Sequence, residues 1–261
     1  MVKFKVAIPS YNRYEELDKL TLETLISKNI DPSCIDIFVA NDEEYDKYKK
    51  YIPKDKYNEI IITAKGKNNA INHIRRFYKK GQRLINIDDD IQEIYYGYNT
   101  YNIPLSNLED YSNYIFKMMK KYECALCGIL RTNSPYHKKN TLTINTYSLC
   151  GGLYWTFNNP TRKLDLFLNC CEDTEFSLKN AEYYGKMMLS NEISIIDASR
   201  DGKLTRLADD EKMAKARVKL AKRFPNLIKY QNRKVYKNYI YPIHYKRINK
   251  TIEIPTVVKK W

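Results

Sequence analysis

The run Leu84-Ile85-Asn86-Ile87-Asp88-Asp89-Asp90 constrains the fold more than any other stretch of the chain. An apolar segment rich in β-branched residues stops abruptly at three carboxylates, so a buried strand must deliver three acidic side chains to one end of a sheet. Adjacent carboxylates repel one another, and the arrangement is costly unless a cation shares the site. Hard oxygen ligands at a strand end suit Mg²⁺ or Mn²⁺, which bind through one or two carboxylates together with substrate phosphates. The plain alternative is a solvated acidic turn.

The flanking sequence repeats the theme of a strand followed by a polar cluster. Residues 2–8 read as a strand before Pro9-Ser10-Tyr11-Asn12-Arg13, residues 35–40 as a second before Asn41-Asp42, and residues 59–63 as a third before Lys65-Gly66-Lys67-Asn68-Asn69. Helices are expected over 15–27, 43–51 and 70–78. This alternation implies a parallel sheet whose polar clusters converge at the C-terminal ends of the strands. After Asp90 it weakens. Residues 108–122 read as a helix, and 124–130, 142–147 and 153–157 as strands around Gly151-Gly152. A further helix is expected over 176–184, behind a turn at Glu172-Asp173. Residues 209–224 form an amphipathic helix, with Asp209, Asp210 and Glu211 loading its N-terminal end and Met213, Ala216, Leu220 and Phe224 in a stripe.

Charge divides the 261 residues unevenly. Residues 200–261 hold 18 Lys/Arg against 5 Asp/Glu, while the preceding 199 hold 27 against 26, so nearly all of the net +14 lies in the last quarter. The sequence therefore divides into an α/β core at 1–199 and a basic helical C-terminal extension at 200–261 that suits a polyanionic partner. The six cysteines are scattered, and Cys124-x-x-Cys127 lacks a second pair, so they read as thiols rather than zinc ligands. The opening residues read as a strand and not a secretory leader, and no apolar run is long enough for a membrane span. A reducing, cytoplasmic setting without stable membrane insertion is expected.

A second acidic cluster, Cys171-Glu172-Asp173-Thr174-Glu175-Phe176, completes a set suited to transferring a sugar from a nucleotide. The whole resembles the GT-A fold glycosyltransferases, and among them the inverting type that opens with a Pro-x-Tyr/Phe-Asn-Arg loop. Pro9-Ser10-Tyr11-Asn12-Arg13 matches that loop and Asn41-Asp42 the acidic end of the second strand. Lys65-Gly66-Lys67-Asn68-Asn69-Ala70-Ile71-Asn72 is similar to a Gly-x-x-x-Ala-x-Asn segment that lies against the nucleotide. Asp88-Asp89-Asp90 matches the DxD motif, Gly151-Gly152 an acceptor-side glycine loop, and Glu172-Asp173 the xED motif. The likeness runs over about residues 3–185 in motif order and implies a Rossmann-like nucleotide-sugar-binding domain. It implies nucleotide contacts at Pro9, Tyr11, Arg13, Asp42, Lys67, Asn68, Asn72, Asp88 and Asp89, and a metal ligand at Asp90. Asp89 is the odd member, since the family's motif carries two acids. Asp173 is expected as the base that takes the acceptor's proton, with Glu172 holding the acceptor or the helix start; the alternative is a capping pair for the following helix. Gly151 and Gly152 allow a close approach of backbone to the acceptor, or simply turn a hairpin.

His244 is expected either at the metal, where many GT-A enzymes return a C-terminal His, or uncommitted. Arg75 and Arg76 either reach the diphosphate or lie in solvent, and Tyr95, Tyr96, Tyr98 and Tyr101 form an aromatic loop. The order Asp-Asp-Asp-Ile, Glu-Asp-Thr-Glu-Phe and then a basic tail is similar to the TET-associated, base J-type DNA glycosyltransferases, which include many phage members. That resemblance implies a UDP-sugar donor (UDP-glucose by default), Mn²⁺ or Mg²⁺, and a hydroxymethylated pyrimidine in DNA as acceptor, in the cytoplasm of a phage-infected host. Lys215, Lys219 and Lys222 would hold the DNA. Two other readings stand beside it: a GT-A enzyme acting on a surface glycan, lipid or protein, with the amphipathic helix on a membrane, and a non-enzymatic nucleic-acid-binding protein.

Overall fold

The structure is a computed structural model that describes residues 4–98, 101–129, 134, 139–145, 151–198, 210–230, 243–245 and 252–255. Strands β1 (Lys5–Pro9), β2 (Ile35–Val39), β3 (Glu59–Ile62) and β4 (Arg83–Ile87) all run parallel. β2 is buried throughout, as a strand covered on both faces must be. The connections are the helical stretch of α1 (Tyr14–Glu16), a π-helical segment (Leu17–Leu22) and α2 (Glu23–Ser27), then α3 (Asp42–Tyr51) and α4 (Lys67–Phe77).

Beyond Asp90 the expected parallel sheet becomes a mixed one. β5 (Ile91–Tyr98) and β6 (Tyr101–Pro104) form an antiparallel hairpin, so the tyrosines expected in a loop sit on paired strands. Tyrosine favours a pleated, half-buried surface, and that preference prevails here. After α5 (Leu108–Lys121) come β7 (Leu126–Ile129), β8 (Thr141–Asn145) and β9 (Leu153–Phe157). Next are α6 (Glu172–Tyr184), β10 (Met187–Ser190) and β11 (Ile193–Asp197), two further strands that the sequence pattern does not reveal. The remaining elements are α7 (Asp210–Arg223), β12 (Ile228–Tyr230), β13 (Ile243–Tyr245) and β14 (Ile252–Pro255).

Nine strands make one sheet in the order β14-β8-β10-β7-β9-β4-β1-β2-β3, while β11-β5-β6 form a second sheet. The chain runs outward from β1 to β3 and then returns to the other side of β1 to form β4. The ends of β1 and β4 therefore flank the point where strand order reverses, which is where open α/β sheets hold ligands.

The C-terminal quarter contributes to the core as well. β14 pairs with β8 at the sheet edge, and Leu220 of α7 and Phe224 just after it cluster with Leu178 and Ala181 of α6.

Candidate active site

β1 and β4 bring the Pro9–Arg13 loop against the triple-Asp turn. The turn's backbone is set by its neighbours. The Thr21 hydroxyl donates to the Asp88 carbonyl at 2.9 Å and accepts from the Ile91 amide at 2.9 Å, closing the turn from the π-helical segment. On the other side the Asp88 amide donates to the Gly152 carbonyl at 3.0 Å and the Ala198 amide to the Asp90 carbonyl at 2.9 Å.

The three carboxylates have three different environments. Asp88 is partly exposed and receives Lys67 Nζ at 2.9 Å. Asp89 is buried, accepting from Ser10 Oγ at 2.6 Å and Arg13 at 3.2 Å, so it anchors the β1 loop. Asp90 is buried and 3.3 Å from Arg13. Burial, then Asp88 and Asp89, and then Asp197 push its carboxyl up to about 7, with Arg13 opposing. Burial also disfavours the Arg13 charge, but Asp89 and Asp90 outweigh it and raise its pKa. Asp197 was missed in the sequence. It ends β11 as Asp88 follows β4, after a β-branched run, and that repeated pattern was the available signal.

α6 begins at Glu172, one turn earlier than expected, because Cys171 takes the left-handed conformation (φ 59°) and starts the helix without a side-chain cap. Glu172 and Asp173 are thus first-turn residues and not the N-cap, and their charges favour the positive end of the helix dipole. Lys67 Nζ lies 3.5 Å from Glu172 as well as 2.9 Å from Asp88, joining the two acidic clusters. Burial raises the Glu172 pKa, with Lys67 opposing; burial likewise disfavours the Lys67 charge, but Asp88 and Glu172 more than offset it. Asp173 accepts from the Thr174 amide at 2.7 Å. Glu175, from the same cluster, is structural: buried, it accepts the Phe167 and Leu168 amides.

The glycine pair acts through space and not through φ, since neither residue has a positive φ. A Cβ on Gly151 would lie 3.0 Å from Asp173 Cβ, and one on Gly152 would lie 2.3 Å from Ile195 Cδ1. Pro9, Lys67, Asn86, Asp88, Gly151 and Tyr154 share one cleft between these parts.

Other expected contacts are elsewhere. Asn72 is buried and exchanges two hydrogen bonds with the Leu166 backbone, so both ends of its amide are used internally. Arg75 is buried on Asp165 and two carbonyls, so it does not lie in solvent, whereas Arg76 is exposed, as one of its two readings had it, and also pairs with Asp165. Tyr11 is exposed beneath Lys65, and Asp42 is exposed at the start of α3. Asn68 is buried with its Oδ1 lacking a hydrogen-bond partner. His244 lies on β13 opposite Lys229, and its side chain falls outside the described residues. Cys124 and Cys127 are buried free thiols. On α7, Lys212, Lys215, Lys219 and Lys222 are exposed, while Ala216, Leu220 and Phe224 are buried, which takes the apolar stripe away from any lipid surface. Among the described residues no helix is long and apolar enough to cross a membrane.

Among the described residues, no three Asp, Glu, His or Cys side chains form a metal site on their own. The donor set still fits Mg²⁺ or Mn²⁺. Its atoms are hard oxygens, Asp90 is short of positive charge, and such ions complete their coordination with phosphate and water.

No protein-family model matches the sequence, and no curated protein matches it. Solved structures do resemble the fold. The crystal structure of S. aureus TarS superposes with a TM-score of 0.51 at 15% identity, covering 84% of this chain and 40% of that one. TarS 1–349 in complex with UDP-GlcNAc gives 0.48 at 15% identity, over 74% of this chain and 57% of that one. The mannosyltransferase PcManGT from Pyrobaculum calidifontis, in complex with GDP-Man and Mn²⁺, gives 0.46 at 13% identity, over 72% and 53%. The chain thus covers only 40–57% of the length of these structures. With the strand order and the TarS superposition together, the chain has a mixed α/β fold resembling that of the GT-A glycosyltransferases.

Proposed function

We propose that the protein is a nucleotide-sugar-dependent, inverting glycosyltransferase. The observation that carries this reading is Lys67, which spans Asp88 and Glu172 and so unites the triple-Asp turn with the carboxylate pair. Asp90 would hold Mn²⁺ or Mg²⁺, with Asp88 and Lys67 beside the donor. The metal supplies Lewis-acid stabilisation of the departing diphosphate. Asp173, in the first turn of α6 and pressed against Gly151, takes the acceptor hydroxyl's proton. Glu172 sets the Lys67 ammonium between the two clusters. Arg13 fixes Asp89 and Asp90 from the β1 loop.

The acceptor we propose is a hydroxymethylated pyrimidine in DNA, with glucose from UDP-glucose as the default donor. Its support is the cationic stripe of α7, held on the helix that carries the base, and the concentration of positive charge in residues 200–261, which we treat as a basic extension of the 1–199 core. Incubation with radiolabelled UDP-glucose, Mn²⁺ and DNA with or without 5-hydroxymethylpyrimidine tests both levels. Label on the modified DNA alone supports the full reading. Donor hydrolysis without transfer to either DNA keeps the enzyme and removes the acceptor. Absence of both hydrolysis and transfer, with UDP- and GDP-linked sugars alike, counts against the enzyme.

A further inference from the structure

Residues 165–168 are pinned from both sides. Asp165 receives Arg75 at 3.2 Å, Leu166 exchanges hydrogen bonds of 2.9 and 2.8 Å with Asn72, and the Phe167 and Leu168 amides donate to Glu175 at 3.0 and 2.9 Å. Leu166 of this segment and Leu164 just before it are each 2% exposed, yet Phe167 on the same fixed backbone is 61% exposed. A large ring held in water by a rigid segment is ready to take a flat partner with little ordering cost. Two cations lie over the ring, Lys179 Nζ at 4.4 Å and the Arg223 guanidinium at 5.1 Å from its centre, and the residue still keeps 61% of its surface in solvent.

Arg223 ends α7, and the start of α7 meets the residues that lead into Glu172. The Cys170 and Cys171 thiols lie 3.5 and 3.9 Å from the Lys212 and Met213 carbonyls. α7 therefore runs beside α6 in the same direction, from the carboxylate pair towards Phe167. Its exposed Lys212, Lys215, Lys219 and Lys222 recur at spacings of three and four residues, which puts them in one row on the outer face. An aromatic face beside a row of cations is the combination that binds single-stranded nucleic acid, with bases stacked on the ring and phosphates along the charges.

We propose that Phe167 stacks on a nucleobase of a single-stranded or locally unpaired acceptor strand, while Arg223 and the α7 lysines hold the adjacent phosphates. This rests on the reading of the acceptor as nucleic acid and adds the residue that senses the unpaired state, since a base inside a duplex is stacked on both faces and an unpaired one can be turned out to expose a face. The platform is a binding element and takes no part in the chemistry.

The test is fluorescence anisotropy with a labelled 15-nucleotide single strand and its duplex, over a range of salt concentrations. Phe167→Ala is expected to weaken single-strand binding by about 5- to 150-fold, the range for removal of one base stack. The salt slope and duplex affinity should stay as in the wild type, Phe167→Trp should retain single-strand binding, and the melting temperatures should match, since the ring is exposed. Equal single-strand affinity for the wild type and Phe167→Ala overturns the platform alone. So does an equal loss on single strand and duplex, which marks a displaced α7 and not a missing stack. Failure of the wild type to bind either nucleic acid overturns the platform and the acceptor reading together.

Discussion

The triple-Asp turn and the outer face of α7 are both unbalanced in charge, but only one of them is buried. At the turn, Asp88, Asp89, Asp90 and Asp197 face Arg13 and Lys67, and Asp90 is left with its carboxyl near 7. On α7 four lysines stand in a row in solvent. Water and salt screen an exposed excess at little cost, whereas a buried one costs stability unless a counter-charge arrives. The turn is therefore the stronger indication of a bound ion, and the α7 row mainly steers and grips a partner. Chemistry should depend on the first region and salt response on the second.

The largest expected effect lies between the two, at the base. Asp173→Asn should lower transfer by about 10²–10⁴-fold with donor binding intact. If Glu172→Gln is the damaging change and Asp173→Asn is mild, the roles within the pair are reversed; if both are mild, the pair only favours the helix start. Next comes the turn. At a concentration 100 times its dissociation constant, Mn²⁺ adds about 2.7 kcal/mol of stability, or roughly 5–10 °C in Tm for a chain of this size. Asp90→Asn should abolish that shift, and an unchanged shift would move the ion elsewhere.

On α7, joint replacement of Lys215, Lys219 and Lys222 by Glu should weaken DNA binding and flatten its salt slope by about 0.9 for each phosphate that is no longer neutralised. Equal affinity of wild type and variant at about 50 mM salt removes this helix from the DNA surface. The smallest effect is expected at Gly152→Ala, where the new methyl meets Ile195 in a closed core and should cost about 1–3 kcal/mol. Thermal melts should show part of that loss restored by Ile195→Val.

The chain before and after Asp90 shows where sequence reading succeeds. Up to Asp90 each strand is a compact β-branched run that ends in polar residues, and the local pattern is enough to place Pro9–Arg13 beside Asp88–Asp90. Past Asp90 the partners are distant in sequence. Nothing local separates a tyrosine loop from the β5–β6 hairpin or tells that Asp197 returns to Asp90. At Asn72 and Arg75 the residue types suited a nucleotide contact, but the side chains turn towards the 159–166 segment. A one-dimensional pattern identifies a residue without its direction, and direction decides its role.

Thr21 adds a point about how far this turn can be altered. Its single hydroxyl holds the main chain at both ends of the acidic triplet, from a helix that none of the three carboxylates belongs to. The acids are fittings on a bracket bolted down elsewhere. Exchange of Asp88, the partly exposed member, would change which ion or phosphate the site prefers and leave the bracket standing, so selection can retune the chemistry there without first solving a folding problem.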